Sequence, residues 1–164
     1  MKQRSAAYRA AMLGLLTALA LILGYVERLF PISAIPGIKI GLGNTVLLYS
    51  LYLIDTKRSW MLMGLKVVLT GLLFGTGISM AYSLAGGTLS LALMSLAKKT
   101  EKLSVHAVSV IGALTHNIGQ LLVAAALVTP RAAVYYAPML ILTGIACGVL
   151  TGTVAKLIIK YVRH

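Results

Sequence analysis

The sequence predicts an all-α fold, a polytopic membrane bundle of about six transmembrane helices. Three observations predict it. Of the 164 residues 59% are hydrophobic and only 11% charged, where an ordinary soluble domain carries about 25% charged residues. The mean hydropathy is +0.94. The apolar runs follow one another closely, with the charges in short loops between them. A spanning helix needs roughly 20 mostly apolar residues, so six consume about 120. What is left suffices for tails and tight loops, and residues 1–164 read as a single integral membrane domain.

Span one runs from about Ala6 to Val26. Lys2, Arg4 and Arg9 stand before its apolar run in the manner of a signal peptide, but the small-residue triplet Ala18-Leu19-Ala20 lies inside that run. It therefore reads as a retained first helix. A loop with Glu27, Arg28, Pro31, Pro36 and Lys39 leads to a short span two, about Ile40 to Ile54. Asp55, Lys57 and Arg58 form a tight turn. Span three starts near Trp60, an interfacial anchor, and ends near Gly77. No charge marks the next boundary, so a neutral Gly/Ser turn or a re-entrant segment precedes span four, about Ser83 to Ala97. Lys98, Lys99, Glu101 and Lys102 make a loop before span five, about Val105 to Val128. Pro130, Arg131, Tyr135, Tyr136 and Pro138 bridge to span six, about Met139 to Ile159.

Basic residues orient such a bundle, because they collect on the cytoplasmic side. With the N-terminus inside, the inner side receives Lys2, Arg4, Arg9, Lys57, Arg58, Lys98, Lys99, Lys102, Lys156, Lys160 and Arg163. The outer side receives Arg28, Lys39 and Arg131, and Lys66 is left within span three. Both termini are expected in the cytoplasm, with the chain in the cell membrane. The net charge of +12 does not imply nucleic acid, because the cations alternate with apolar runs and form no single face. The lone Cys147 excludes an internal disulfide and a paired-cysteine site.

Small residues recur at helical spacing. Ala6, Ala10, Gly14 and Ala18 form a smooth stripe on span one, and Gly144, Gly148 and Gly152 another on span six. Such stripes let helices approach closely in lipid, where apolar burial cannot drive association. The span-six stripe suits internal packing. On span one, Ala6, Ala10 and Gly14 suit either internal packing or docking of a membrane partner.

Polar residues inside a membrane are costly and point to function. On span five His116 and Gln120 are four apart and share a face with Gly112 and Gly119, while Asn117 lies on the adjacent face. The block is either a polar cavity wall or a set of interhelical hydrogen bonds. Lys39, Gly41, Gly43 and Asn44 open span two, where glycines and free N–H groups near a helix start favour an anion. Lys66 either snorkels to the inner surface or faces the bundle and holds an anionic or carbonyl-bearing ligand. Ser83, Gly86 and Gly87 either continue a cavity wall or serve packing. The candidate ligand residues are therefore His116, Asn117, Gln120, Asn44, Lys39 and Lys66.

Much chemistry is missing from the sequence. The three carboxylates, Glu27, Asp55 and Glu101, all fall in predicted loops. No phosphate-binding Gly-rich loop ends in Lys-Ser or Lys-Thr, and no Cys/His metal spacing appears. A proton-coupled carrier, an ATPase and a magnesium-dependent diphosphate enzyme are all disfavoured. No catalytic residue, metal or cofactor is expected.

The segments Lys39-Ile-Gly-Leu-Gly-Asn44, Ser83-Leu-Ala-Gly-Gly87 and Gly112-Ala-Leu-Thr-His-Asn-Ile-Gly-Gln120 resemble the Gx transporter family, often labelled heptaprenyl diphosphate synthase component I. The resemblance runs from span one to span six, and His-Asn-x-Gly-Gln is its most specific part. It departs at Lys66, where related sequences often carry arginine; the charge is kept and the bidentate fork lost. The family in turn is similar to the substrate-binding S components of energy-coupling-factor (ECF) transporters. That implies a six-helix subunit that captures a small organic solute and works with a transmembrane coupling subunit and two ATPases. It also implies that Ala6, Ala10 and Gly14 contact the coupling subunit. The label implies instead an accessory role in isoprenoid, polyprenyl diphosphate or quinone metabolism, and a scaffold holding membrane partners is a third expectation.

Overall fold

The computed structural model describes residues 5–29, 41–127 and 130–162. These residues form six helices and no strand: α1 (Ala6–Leu29), α2 (Leu42–Leu53), α3 (Thr56–Phe74), α4 (Gly77–Lys99), α5 (Val105–Leu127) and α6 (Pro130–Val162). Four of them, α1, α4, α5 and the Ala133–Val162 part of α6, are long and apolar enough to cross a membrane. The chain is a multi-pass membrane protein built as an all-α bundle.

The other two helices differ. α2 has 12 residues, about 18 Å of helix against a hydrocarbon core of about 30 Å. α3 has 19 residues but includes Lys57, Arg58 and Lys66. Short α2 is enclosed by protein, packing on α1, α3 and α6. Val46, Leu47, Leu48, Ser50 and Leu51 are all buried. A short helix is tolerated at membrane depth when protein surrounds it.

Local chemistry sets the junctions. Gly41 precedes α2 with φ 81°, a left-handed conformation that glycine adopts without a Cβ clash. Asp55 caps α3, accepting from the Arg58 N–H at 2.7 Å and pairing with the Arg58 guanidinium at 2.9 Å. The buried Ser59 hydroxyl donates to Ser50 at 3.0 Å and so ties α3 to α2. At the far end of α3, Gly75 and Thr76 are the entire turn, and a reciprocal capping box between Thr76 and Ser79 starts α4.

That box corrects the boundary expected between spans three and four. Residues 77–82, expected in span three's end and a neutral turn, belong to a continuous α4. Two other boundaries also move. α1 continues through Glu27 and Arg28 to Leu29, placing both in helix rather than loop. α6 begins at Pro130 and carries Pro138 inside it, so the expected bridge from Pro130 to Pro138 is helical. Proline suits a first helical position, and membrane helices tolerate an internal one.

α5 makes the most extensive contacts, with α6 on one side and α4 on the other. The span-six stripe serves this packing: a Cβ at Gly148 would lie 2.7 Å from Val110 Cα, and one at Gly152 would lie 2.9 Å from Ser109 Cβ. Ser109 and Thr151 hydroxyls bond across the same seam at 2.9 Å. Lys98, in the last turn of α4, donates to the Leu51 carbonyl at the end of α2. The span-one stripe behaves differently. Ala6, Ala10, Gly14 and Ala18 are exposed on α1, and a Cβ at Gly14 would meet nothing within 4 Å. Leu15, Leu72, Val134 and Leu142 are likewise 66–73% exposed, an apolar surface too extensive for a water-facing monomer and suited to lipid.

Candidate functional site

The sequence places two glycines and an asparagine at the start of α2, and each has a separate task. The Gly41 N–H donates to Glu27 Oε1 at 2.6 Å, joining α2 to the last turn of α1. A Cβ at Gly43 would lie 3.1 Å from Lys66 Cε and 3.2 Å from its Nζ. Glycine therefore leaves the channel through which the Lys66 side chain passes. Asn44 ends that channel: its Oδ1 accepts from Lys66 Nζ at 2.6 Å. Lys66 thus faces the bundle and does not snorkel. A charge-assisted bond of this length holds an ammonium well.

The α5 block sits across from this cradle. A Cβ at Gly86 would be 2.9 Å from both the His116 carbonyl oxygen and its Cε1, and one at Gly119 would be 2.7 Å from the Ala85 carbonyl oxygen. Glycine at both positions lets α4 and α5 meet backbone to backbone, and it sets His116 against α4. Asn117 turns toward α6, where its Nδ2 donates to the Leu140 carbonyl at 2.7 Å. Asn117 thus makes an interhelical bond of the kind expected from packing alone, yet it also borders open space.

That space is a cavity of about 120 Å³. It brings together Asn44, Lys66, His116, Asn117 and Gln120, five of the six predicted ligand residues. The sixth, Lys39, lies outside the described residues. Gly41, Gly43, Ser83 and Gly87 also border the cavity, so the second predicted constellation and the Ser-x-x-Gly-Gly segment belong to the same wall. Every helix contributes. The cavity reaches from the middle of the bundle, at Lys66 and His116, toward the end where α1 stops and α2 starts.

Four polar lining residues escaped the sequence reading: Glu27, Arg28, Thr70 and Cys147. Helical spacing carries the missing signal. Glu27 and Arg28 stand three and four residues beyond Gly24, Thr70 stands four beyond Lys66, and Cys147 stands three beyond Gly144; all of these line the cavity. Arg28 also donates from Nη1 to the Phe74 carbonyl, and Tyr25 packs on Phe74 with ring centroids 5.0 Å apart. The end of α1 is thereby tied to the end of α3.

The arrangement offers an ammonium, a guanidinium, a carboxylate, an imidazole and three carboxamides around one small space. The other two carboxylates, Asp55 and Glu101, lie at the opposite end of the bundle, where α2 and α4 stop. Among the described residues no group of three His, Cys, Asp or Glu side chains is placed to hold a metal. The chemistry is that of recognition by charge and hydrogen bonding.

No curated protein and no solved structure gives a significant match to the chain. A family model described as heptaprenyl diphosphate synthase component I matches residues 16–158, a stretch that includes all the described lining residues of the cavity and most of all six helices. The chain belongs to the heptaprenyl diphosphate synthase component I family.

Proposed function

We propose that this protein is a membrane substrate-binding subunit that captures a small organic solute, with uptake powered by a partner coupling subunit and ATPases of the ECF type. The observation that carries this reading is the convergence of Asn44, Lys66, His116, Asn117 and Gln120 on one cavity. Residues so distant in sequence and so costly in lipid are poorly accounted for by packing alone. The size of the cavity also fits a small solute, since pockets for drug-sized ligands run to about 300–1,000 Å³.

With both termini in the cytoplasm, as the basic residues favour, the cavity opens toward the outer face and suits capture from outside. The exposed stripe of Ala6, Ala10 and Gly14 then lies at the cytoplasmic end of α1, within reach of a coupling subunit that reorients the bundle. The chain has no phosphate-binding loop of its own, so the energy comes from the partner. Mass spectrometry of small molecules retained by gently purified protein tests the reading. His116→Ala and Asn117→Ala should each lower retention and uptake of that molecule. Unchanged retention and uptake in both variants would show that the site is elsewhere.

The family description favours a second reading, an accessory subunit in polyprenyl diphosphate or quinone metabolism. Synthesis of prenyl diphosphates by this chain alone is disfavoured, because its carboxylates are divided between the two ends of the bundle and magnesium-diphosphate chemistry needs them clustered. Reconstitution with a soluble partner separates the readings. Magnesium-dependent condensation that requires this chain supports the accessory role, and its absence from every mixture counts against it.

A further inference from the structure

We propose that the cavity takes a compact zwitterion, a small α-amino acid or a molecule with the same paired ammonium and carboxylate. This inference deepens the solute-binding reading and rests on it. Its basis is that charges of both signs face one space of about 120 Å³: Lys66 and Arg28 on one hand, and Glu27, the only one of the three carboxylates to line it, on the other. A simple anion complements Lys66 and Arg28 but not Glu27, and a simple cation complements Glu27 but not Lys66 and Arg28. At close range each like-charge encounter is unfavourable. A molecule carrying both charges opposes each group with its complement.

The neutral Asn44 has matching polarity. The Asn44 carbonyl oxygen is occupied by Lys66, so this amide presents its NH2 beside the ammonium, and both are donors for a carboxylate. Asn117 differs: its NH2 donates to the Leu140 carbonyl on α6 and keeps a second N–H. It therefore offers the cavity both a donor and an acceptor and does not by itself set the orientation of the solute. The carboxylate of the solute therefore sits toward Lys66 and Asn44, and its ammonium toward Glu27.

The test uses full-length protein in detergent and two readouts. One is the shift in thermal unfolding on adding a ligand, which follows directly from binding to the folded state. The other is protection of Cys147, the single cysteine and a lining residue, from a small alkylating reagent. The probes are the proteinogenic amino acids, each with two analogues, one lacking the amine and one lacking the carboxylate. At least one small amino acid should bind about tenfold or more tightly than either of its analogues. Glu27→Gln should weaken that amino acid by about tenfold while leaving the amine-free carboxylate unaffected or improved. Circular dichroism confirms that the variant is folded.

Equal binding of an amine-free carboxylate overturns the zwitterion inference and leaves a solute-binding subunit standing. Failure of every amino acid in both readouts also overturns it. The underlying functional reading fails on separate grounds, when the purified protein retains no small molecule and Lys66→Gln leaves uptake unchanged in cells.

Discussion

Lys66 Nζ on α3 donates to Asn44 Oδ1 on α2 at 2.6 Å, joining a cation midway along one helix to the first turn of the shortest helix in the bundle. The two partners should respond differently to replacement. Asn44→Leu leaves the ammonium in place without this acceptor and should destabilise the protein by about 1.5–3 kcal/mol. Lys66→Met removes the charge along with its desolvation cost, so stability should change by less than about 1 kcal/mol or rise, while solute retention falls about tenfold or more. Thermal unfolding alongside retention separates the two effects, and equal destabilisation by both variants would contradict this account.

Gly43 is needed for space. Gly43→Ala brings a Cβ to 3.0 Å from the Ala20 carbonyl oxygen as well as against the Lys66 stem, and should cost about 1–3 kcal/mol and displace the ammonium. Gly64, on the neighbouring helix, has nothing within 4 Å of a Cβ. Gly64→Ala should be neutral or stabilising by up to about 1 kcal/mol, from helix propensity alone. Denaturation of the two variants in detergent checks the contrast.

The glycines between α4 and α5 should rank by what a methyl group would strike. Gly119→Ala meets the backbone, with Ala85 oxygen at 2.7 Å and Gly86 Cα at 2.8 Å. Gly112→Ala meets first the Met94 side chain, at Sδ and Cγ, and a methionine adapts more readily than backbone. Gly119→Ala should cost about 3 kcal/mol or more and lower the yield of folded protein, and Gly112→Ala less, about 1–2 kcal/mol. Size-exclusion profiles and unfolding midpoints give the order.

Gly14 faces open space on α1. Gly14→Leu should therefore fold normally and retain solute, since no internal contact is lost. It should disrupt a complex with a coupling subunit, because a bulky residue interrupts the stripe through which helices approach. Copurification before and after the change tests this, and an intact complex would place the interface elsewhere.

The helical bundle was legible because apolar run length and loop charge report directly on lipid. Boundaries were less so. The turn after α3 comes earlier than the sequence predicts because Thr76 and Ser79 close it by mutual hydrogen bonds, a signal of two short polar residues among many. Charge commonly ends a span, so the sequence predicts a loop at Glu27 and Arg28, yet α1 keeps its helix through both and both line the cavity.

By itself the sequence determined the all-α class, the six helices, the small number of carboxylates and the identity of five lining residues. Each is a property of composition or of spacing within one helix. The tertiary structure decided which faces meet: that Lys66 turns inward to Asn44, that Asn117 engages α6, that the span-one stripe stays exposed, and that Glu27 joins the same wall. The reason is physical. Periodicity fixes a side chain's direction around its own helix axis, but only the packing of all six helices fixes what lies opposite it.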